Sequence, residues 1–264
     1  MKALITGASS GLGRSMAIIL SKMGYDIIAV ARREEKLKEL ESKIKTNLYI
    51  KCLDITKEES YKEIEKELSD TDVFINNAGF GVFGDFSSSD LDSELKMLDT
   101  NVRAVHILTK MAVRKFKEKN RGYILNVASI AAFFPGPLFS SYYAGKSYVL
   151  RLTESIYEEL RQEKSNVKIS VLCPGPVKTE FEKIAKVSFG NGKEKGRDLI
   201  ISDCDKVSGY AIKMMFKGKL IIIPGLLMKC AVFARRILSE KALCKVLYLL
   251  QSKKFEIEVE KWMF

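Results

Sequence analysis

Residues 2–33 read KALITGASSGLGRSMAIILSKMGYDIIAVARR, and the order of features within them decides the fold. Lys2 to Thr6 is a short apolar strand that runs directly into TGASSGLG (Thr6 to Gly13). Leu12, Met16, Ile19, Leu20 and Met23 then recur at helical spacing, which predicts an amphipathic helix. A glycine turn between a strand and a helix N-terminus aims backbone N–H groups and the positive end of the helix dipole at an anion. It is a phosphate cradle. The glycines follow G-x-x-x-G-x-G (Gly7, Gly11, Gly13), not the G-x-G-x-x-G of the general dinucleotide fingerprint. Standing alone, such a loop could be only a tight turn. Tyr25 to Ala31 is a second apolar strand, and it ends in Arg32-Arg33. An acid at this strand end grips a ribose 2′-hydroxyl, whereas an arginine accommodates a 2′-phosphate, and Ala31 offers no acid. NADP is favoured over NAD, unless both arginines are solvated residues at the start of a helix.

The alternation continues along the chain. A charged helix is predicted over Glu34 to Lys45, then a third strand over Asn47 to Leu53, closed by Asp54-Ile55, and a helix over Lys57 to Leu68. Asp72 to Asn76 is a fourth strand that ends in NNAG (Asn76 to Gly79). Strands alternating with helices of this length mean βαβ units and a parallel sheet with right-handed crossovers. Ligands of such sheets sit beyond the carboxyl ends of the strands, where these motifs fall. A glycine- and serine-rich loop, Phe80 to Ser89, leads to a long helix from about Asp90 to Lys119. Asn101 stands in its middle; asparagine is a poor helix former, so a specific hydrogen-bonding task is implied.

Gly122 to Val127 is a fifth strand, and the stretch after it, Asn126 to Lys146 (NVASIAAFFPGPLFSSYYAGK), carries the chemistry. Ser129 follows the strand, and a helix opened near Tyr142 and running to about Lys164 sets Tyr142 and Lys146 at i, i+4, one turn apart on one face. A phenol with a pKa near ~10 is of little use as an acid or base at neutral pH; bringing it to about 7 takes roughly 4 kcal/mol, which a fixed ammonium can supply. By itself Y-x-x-x-K is a weak signal, because a surface lysine beside a half-buried tyrosine has the same spacing. Val167 to Cys173 is the sixth strand, closed by PGPVKT (Pro174 to Thr179). Glu180 to Ser202 is polar and glycine-bearing and reads as a mobile segment over the site. Lys219 to Ile223 is the last strand, stopped by Pro224-Gly225.

With 264 residues, 47% hydrophobic and 29% charged, the composition is that of one globular α/β domain and excludes disordered and fibrous classes. The N-terminus carries no secretory signal pattern, so a cytoplasmic protein is expected. Cys52, Cys173, Cys204, Cys230 and Cys244 are scattered without C-x-x-C spacing, and free thiols are expected. The single histidine, His106, argues against a zinc cluster, no metal is expected, and His106 itself reads as a helix residue. The net charge of +11 is concentrated late: between Lys206 and Lys254 stand eleven Lys and Arg against one acid, Glu240. No nucleic-acid motif accompanies these charges, and nucleic acid is not expected as a partner.

TGASSGLG, NNAG, Asn101, Ser129, YYAGK and PGPVKT, in this order at the ends of successive strands, resemble the short-chain dehydrogenase/reductase family over roughly residues 1–180. The resemblance implies an α/β, Rossmann-type doubly wound parallel sheet of about seven strands. It implies an enzyme that moves a hydride between NAD(P)(H) and a carbonyl or alcohol carbon of a small molecule, and a homo-oligomer. Tyr142 would protonate the carbonyl oxygen, Ser129 would hold that oxygen, Lys146 would lower the tyrosine pKa and bind the nicotinamide ribose, and Asn101 would anchor a relay water. Tyr143 is the rival tyrosine, but only Tyr142 stands four residues before a lysine. Gly7, Ser9, Ser10, Gly11, Leu12 and Gly13 would line the pyrophosphate, and Arg32 the 2′-phosphate. Asp54 and Ile55 would meet the adenine, Asn77 the ribose side, Val177 and Thr179 the carboxamide. NADP-using members often carry a basic residue just before the middle glycine; here it is Ser10, so the preference for NADP over NAD rests on Arg32 and on the missing acid. The C-terminal part looks like that of a broad group of NADP-dependent reductases that includes long-chain ketoacyl and hydroxysteroid enzymes.

The competing reading is a regulatory or scaffold protein that keeps the dinucleotide fold without the chemistry. Phe80, Phe83, Phe133, Phe134, Leu138 and Phe139 near the expected cleft favour a lipophilic carbonyl, or else are ordinary packing residues. Residues 1–223 read as the catalytic domain and 224–264 as a short, basic, amphipathic helical C-terminal extension of it. Leu220 to Ala234 is too short to span a bilayer, which takes about 20 apolar residues. Leu226 to Leu250 mixes apolar residues at helical spacing with Lys229, Arg235, Arg236, Lys241 and Lys245. An ordinary solvated helix face, or peripheral contact with an anionic membrane or an acidic acyl carrier, are the readings of that mixture.

Overall fold

The computed structural model describes residues 1–181 and 202–262, with 253–262 described by their backbone alone. The elements are β1 (Lys2–Thr6), α1 (Gly11–Lys22), β2 (Asp26–Ala31), α2 (Glu34–Lys38), β3 (Leu48–Cys52), α3 (Glu58–Leu68), β4 (Val73–Asn76) and α4 (Leu91–Leu98). A π-helical stretch, Asp99–Ala104, joins α4 to α5 (Val105–Glu118). There follow β5 (Gly122–Val127), a 3-10 turn (Ile130–Phe133), α6 (Ser140–Gln162), β6 (Val167–Leu172), α7 (Cys204–Phe216), β7 (Ile221–Ile222), α8 (Leu226–Ala234) and α9 (Glu240–Trp262). The seven strands are parallel and lie in the order β3-β2-β1-β4-β5-β6-β7. The sheet is the doubly wound α/β arrangement expected, and its order reverses between β1 and β4.

Strands covered on both faces are apolar in their interiors, and β1, β2 and β4 are so except at their ends, Lys2 and Thr6, Asp26 and Asn76. Ala3 and Ile5 of β1 pack on Met16 and Leu20 of α1 and on Ala211 and Met215 of α7. Leu4 points the other way, into a cluster with Phe74, Ile64 and Leu68 of α3, and Leu108 and Phe116 of α5. A chain of buried polar groups then pins two helices to the sheet. Asn76 Nδ2 donates to Val105 O (3.1 Å), Thr109 Oγ1 to Asn126 Oδ1 (3.0 Å), and Asn126 Nδ2 to Thr153 Oγ1 (2.9 Å). Hydrogen-bonded side chains with no water to compete fix geometry as well as energy, so α5 and α6 have little freedom to rotate on β4 and β5.

Four features differ from expectation. α2 stops at Lys38, because the chain beyond it is turned by three-residue bonds (Leu40 N–H to Leu37 O, Glu41 N–H to Lys38 O), and Ser21 Oγ of α1 takes the N–H of Lys45 at 2.5 Å. The long helix over 90–119 is interrupted by the π stretch that contains Asn101. β7 is only two residues long, since the chain arrives at the sheet late, after Gly218 ends the turn beyond α7. In α9 the apolar residues are not confined to one face: Leu243 is buried, whereas Val246, Tyr248, Leu249 and Leu250 are exposed. The segment expected to move over the site lies almost wholly outside the described residues. His106 sits in α5, with Nδ1 2.6 Å from the Tyr148 hydroxyl, and the five cysteines are free thiols. Among the described residues no helix is long and apolar enough to cross a membrane.

Candidate active site

At the carboxyl end of β1 the chain must turn sharply, and it does so through Gly7 at φ +68°, in the left-handed region that other residues avoid. A Cβ there would also lie 2.8 Å from Asn77 Nδ2. The Asn77 amide donates to Thr6 O (3.0 Å) and Gly7 O (3.3 Å), which fixes the glycine loop against the loop after β4. From this cradle a cavity of about 540 Å³ runs across the carboxyl ends of the strands. Gly7, Ser9, Ser10, Gly11, Leu12, Arg32, Asp54, Ile55, Asn77, Ser129, Tyr142, Lys146, Val177 and Thr179 all lie on its wall. Gly13 lies behind the loop, packed on the Gly7 carbonyl. Of the aromatic residues expected near the cleft, Phe80, Phe83 and Phe139 line it; Phe133 and Phe134 pack instead against β6 and α6.

Asn101 is buried beside the cavity rather than on its wall. Its side chain grips the backbone of Phe80 at both ends, Nδ2 donating to Phe80 O (2.7 Å) and Oδ1 accepting from Phe80 N–H (3.1 Å). The π stretch brings this amide round to the loop after β4, so the task anticipated for a mid-helix asparagine is here a clamp on that loop.

Tyr142 is stacked on Phe139 (ring centroids 4.4 Å, 14° between planes) and flanked by Phe181 at 5.5 Å. Burial among these rings pushes its pKa up, and a hydrogen bond with Ser129 draws it part of the way back. Ser129 Oγ also accepts the N–H of Ala131 at 3.1 Å, so the hydroxyl is held in place as the cap of the 3-10 turn. Lys146 Nζ donates to Val127 O at 3.0 Å and stands 5.7 Å from the centre of the Tyr142 ring. Desolvation thus raises the phenol pKa in this arrangement, and Ser129 supplies the opposing pull. Lys146 is itself brought down to about 8 by burial.

The basic residue at the glycine loop is Arg33. Its Nη2 donates to Ser9 Oγ (3.1 Å) and Ser10 Oγ (3.0 Å), and its Nη1 pairs with Glu180 (2.9 Å), while Arg32 lines the same end of the cavity. Successive side chains leaving a strand point to opposite sides, so the dibasic pair was a visible signal, but which member faces the loop was not. Gln251 of α9 is a second wall residue that no motif announced.

A sequence profile of the short chain dehydrogenase family matches residues 1–186. The chain belongs to the short-chain dehydrogenase family of oxidoreductases. It is 36% identical, over 206 residues, to the NADP-dependent 3-hydroxy acid dehydrogenase of Schizosaccharomyces pombe, covering 74% of this chain and 78% of that one. An uncharacterised oxidoreductase of the same yeast is 33% identical over 180 residues, and there the match spans 67% of this chain and 61% of the relative. The fold is shared with the Sphingobium yanoikuyae short-chain dehydrogenase in complex with NADPH, at a TM-score of 0.77 and 24% identity, with 89% of this chain and 93% of that one covered. Members of this family bind NAD(P), and the cradle fits such a ligand: backbone N–H groups at the start of α1, two serine hydroxyls and a guanidinium converge where phosphates would lie.

Lys146 provides a test of this geometry that needs no substrate. Its folded-state pKa lies below the ordinary value of 10.5. Between about 8 and 10.5 the unfolded chain therefore binds the proton more readily, and stability rises with pH across that window. Replacing Lys146 by Met removes this dependence and leaves all other titrating groups common to both proteins. The Tm difference, wild type minus Lys146→Met, should move in favour of wild type by roughly 1 to 2 kcal/mol, a few degrees, from pH 7 to pH 9.5. A pH-independent difference means that the ammonium is not desolvated.

Proposed function

We propose that the protein is an NADP(H)-dependent oxidoreductase that interconverts a carbonyl and an alcohol on a lipophilic small molecule. One observation carries this reading: a single cavity begins at Arg32, Arg33 and the glycine loop and ends at Ser129, Tyr142 and Lys146, with Phe80, Phe83 and Phe139 around that end. Gly7, Ser9, Ser10, Gly11 and Leu12 would hold the pyrophosphate, with Gly13 behind them letting the helix start close against the loop, Arg32 and Arg33 at the 2′-phosphate, and Asp54 and Ile55 at the adenine. Asn77 and Lys146 would hold the riboses, Val177 and Thr179 the carboxamide. The bound cofactor supplies the hydride.

The side chains of this chain handle the proton. Tyr142 carries its O–H at neutral pH and would donate it to the carbonyl oxygen as hydride arrives, with Ser129 opposing the upward pull of burial on its pKa. Ser129 donates to the oxygen that becomes negative as reduction proceeds, and Lys146 adds positive charge beneath it. Asn101 keeps the Phe80 loop against the site. The competing reading, a binding protein without turnover, gives no reason for a tyrosine, serine and lysine to converge at one end of the cavity.

Tyr142→Phe should lower kcat by about 10²- to 10⁴-fold while NADPH binding, read by fluorescence titration, persists. Retained turnover in that variant, with Tyr143→Phe inactive, would reassign the proton donor. Arg33→Ala should raise the KM for NADPH roughly tenfold through loss of a charge-assisted contact and scarcely change kinetics with NADH. Equal effects on the two cofactors would sink the preference for NADP.

The C-terminal helices suggest where a lipophilic substrate is met. α8 has no buried residue; Leu226, Phe233 and Ile237 are 76%, 64% and 78% exposed, with Arg235 and Arg236 beside them. Met228 of the same helix packs on Gly175 at the cavity wall. An exposed apolar surface studded with cations fits the interface of an anionic bilayer. A second copy of the chain fits it poorly, since two such faces would oppose like charges, so the oligomer expected of the family would use another face. Attraction of this kind is screened over roughly 8 to 10 Å at ordinary salt. Co-sedimentation with phosphatidylglycerol vesicles should therefore be strong at low salt, weak at high salt, and lost when Arg235, Arg236, Lys241 and Lys245 are all changed to Gln. Absence of sedimentation at low salt would refute the membrane contact.

A further inference from the structure

Gln251 lies on α9, beyond the family match that ends at residue 186, and is 4% exposed. Burying a primary amide is costly unless its groups find partners. Its Nε2 donates to the Tyr143 hydroxyl at 3.2 Å, and both side chains stand on the wall of the cavity that holds Ser129, Tyr142 and Lys146. Tyr143 is held firmly. Its ring packs on the backbone of Gly136, with the Phe139 ring 5.9 Å and the Tyr142 ring 6.2 Å away between centroids.

A phenol that accepts one hydrogen bond still has its own O–H to donate. Burial pushes the Tyr143 pKa up to about 12, so this O–H is present throughout the working pH range. Among the described residues, Gln251 is the hydrogen-bond partner of the hydroxyl. Pockets for small molecules are mostly apolar, with a few fixed polar groups that set orientation. The pair occupies that place here, next to the tyrosine assigned to the reacting carbonyl.

We propose that Tyr143, positioned by Gln251, donates a hydrogen bond to a second oxygen of the substrate. The preferred substrates are then apolar carbonyl compounds that carry another acceptor, such as oxo esters, oxo thioesters or hydroxy ketones. This rests on the assignment of Tyr142 to the reacting carbonyl. It also gives the C-terminal helix a part in specificity that residues 1–186 alone do not contain.

The test is a ratio of kcat/KM values: ethyl 3-oxo and 4-oxo esters against 2-ketones of the same chain length, with NADPH. Wild type should prefer the oxo esters. Tyr143→Phe should lower that preference about tenfold, mainly through KM, and Gln251→Leu should lower it by a similar factor. The double variant should lose little more, because the two residues act as one unit. Tyr143→Phe keeps the proposal testable if Gln251→Leu loosens α9. A wild type without preference, equal losses on esters and ketones, or additive effects in the double variant would overturn the proposal. Failure of the proton-donor assignment reads out separately, as turnover of the plain ketone by Tyr142→Phe.

Discussion

Thr6 and Asn77 exchange hydrogen bonds at the point where β1 and β4 stop running side by side, and the site depends on that exchange. The buried Thr6 hydroxyl accepts the N–H groups of Asn77 (2.9 Å) and Ala78 (3.1 Å), while the Asn77 amide returns two bonds to the carbonyls of Thr6 and Gly7. Beyond the last ladder pair the two chains turn to opposite faces of the sheet, and their backbone groups have no strand partner. Buried polar backbone left unpaired costs about 1 to 3 kcal/mol per group. Two side chains remove that cost and at the same time hold the crevice open, because they join the strand ends without filling the space above them. The cavity is a consequence of how the sheet divides.

A second set of polar contacts aligns the other half of the site. The ladder from Asn76 through Thr109 and Asn126 to Thr153 ties α5 and α6 to adjacent strands. α6 carries Tyr142 and Lys146 one turn apart, and α5 continues the π stretch that carries Asn101. A rotation of α6 by one residue would take both side chains off the cavity. The buried amides and hydroxyls resist this more specifically than an apolar contact could, since each has a directional partner. Lys146 is the site's evident cost in stability: a desolvated ammonium whose hydrogen-bond partner among the described residues is the carbonyl of Val127.

How much of this was legible in the sequence follows from the range of the forces involved. The strands, the glycine loop, Ser129 and the Tyr142/Lys146 pair were readable because each depends on local periodicity or on a turn that only certain residues can make. The early end of α2 was not, because it depends on Ser21 of a different element taking the Lys45 N–H. That Arg33 meets Ser9 and Ser10 depends on how the chain leaves β2, which the residue types of the dibasic pair do not encode. Asn101 was identified as a residue with a hydrogen-bonding task, but its partner, the Phe80 backbone, lies 21 residues away in sequence and was reached only through a π stretch. Gln251, 108 residues from its partner Tyr143, has no local signal at all.

The same distance in sequence explains why α9 looks badly patterned. A helix that only covered a core would confine its apolar residues to one side. α9 instead buries Leu243 and Gln251 while leaving Val246, Tyr248, Leu249 and Leu250 exposed among lysines. Its inward face includes a polar group because that face closes a cavity rather than a core. Its outward face keeps apolar groups that water alone does not favour. The two departures belong to one helix: the residue that meets the Tyr143 hydroxyl and the exposed apolar residues stand within a few positions of each other. Substrate choice and surface contact, usually separate properties of an enzyme, would here be carried by opposite sides of the same element.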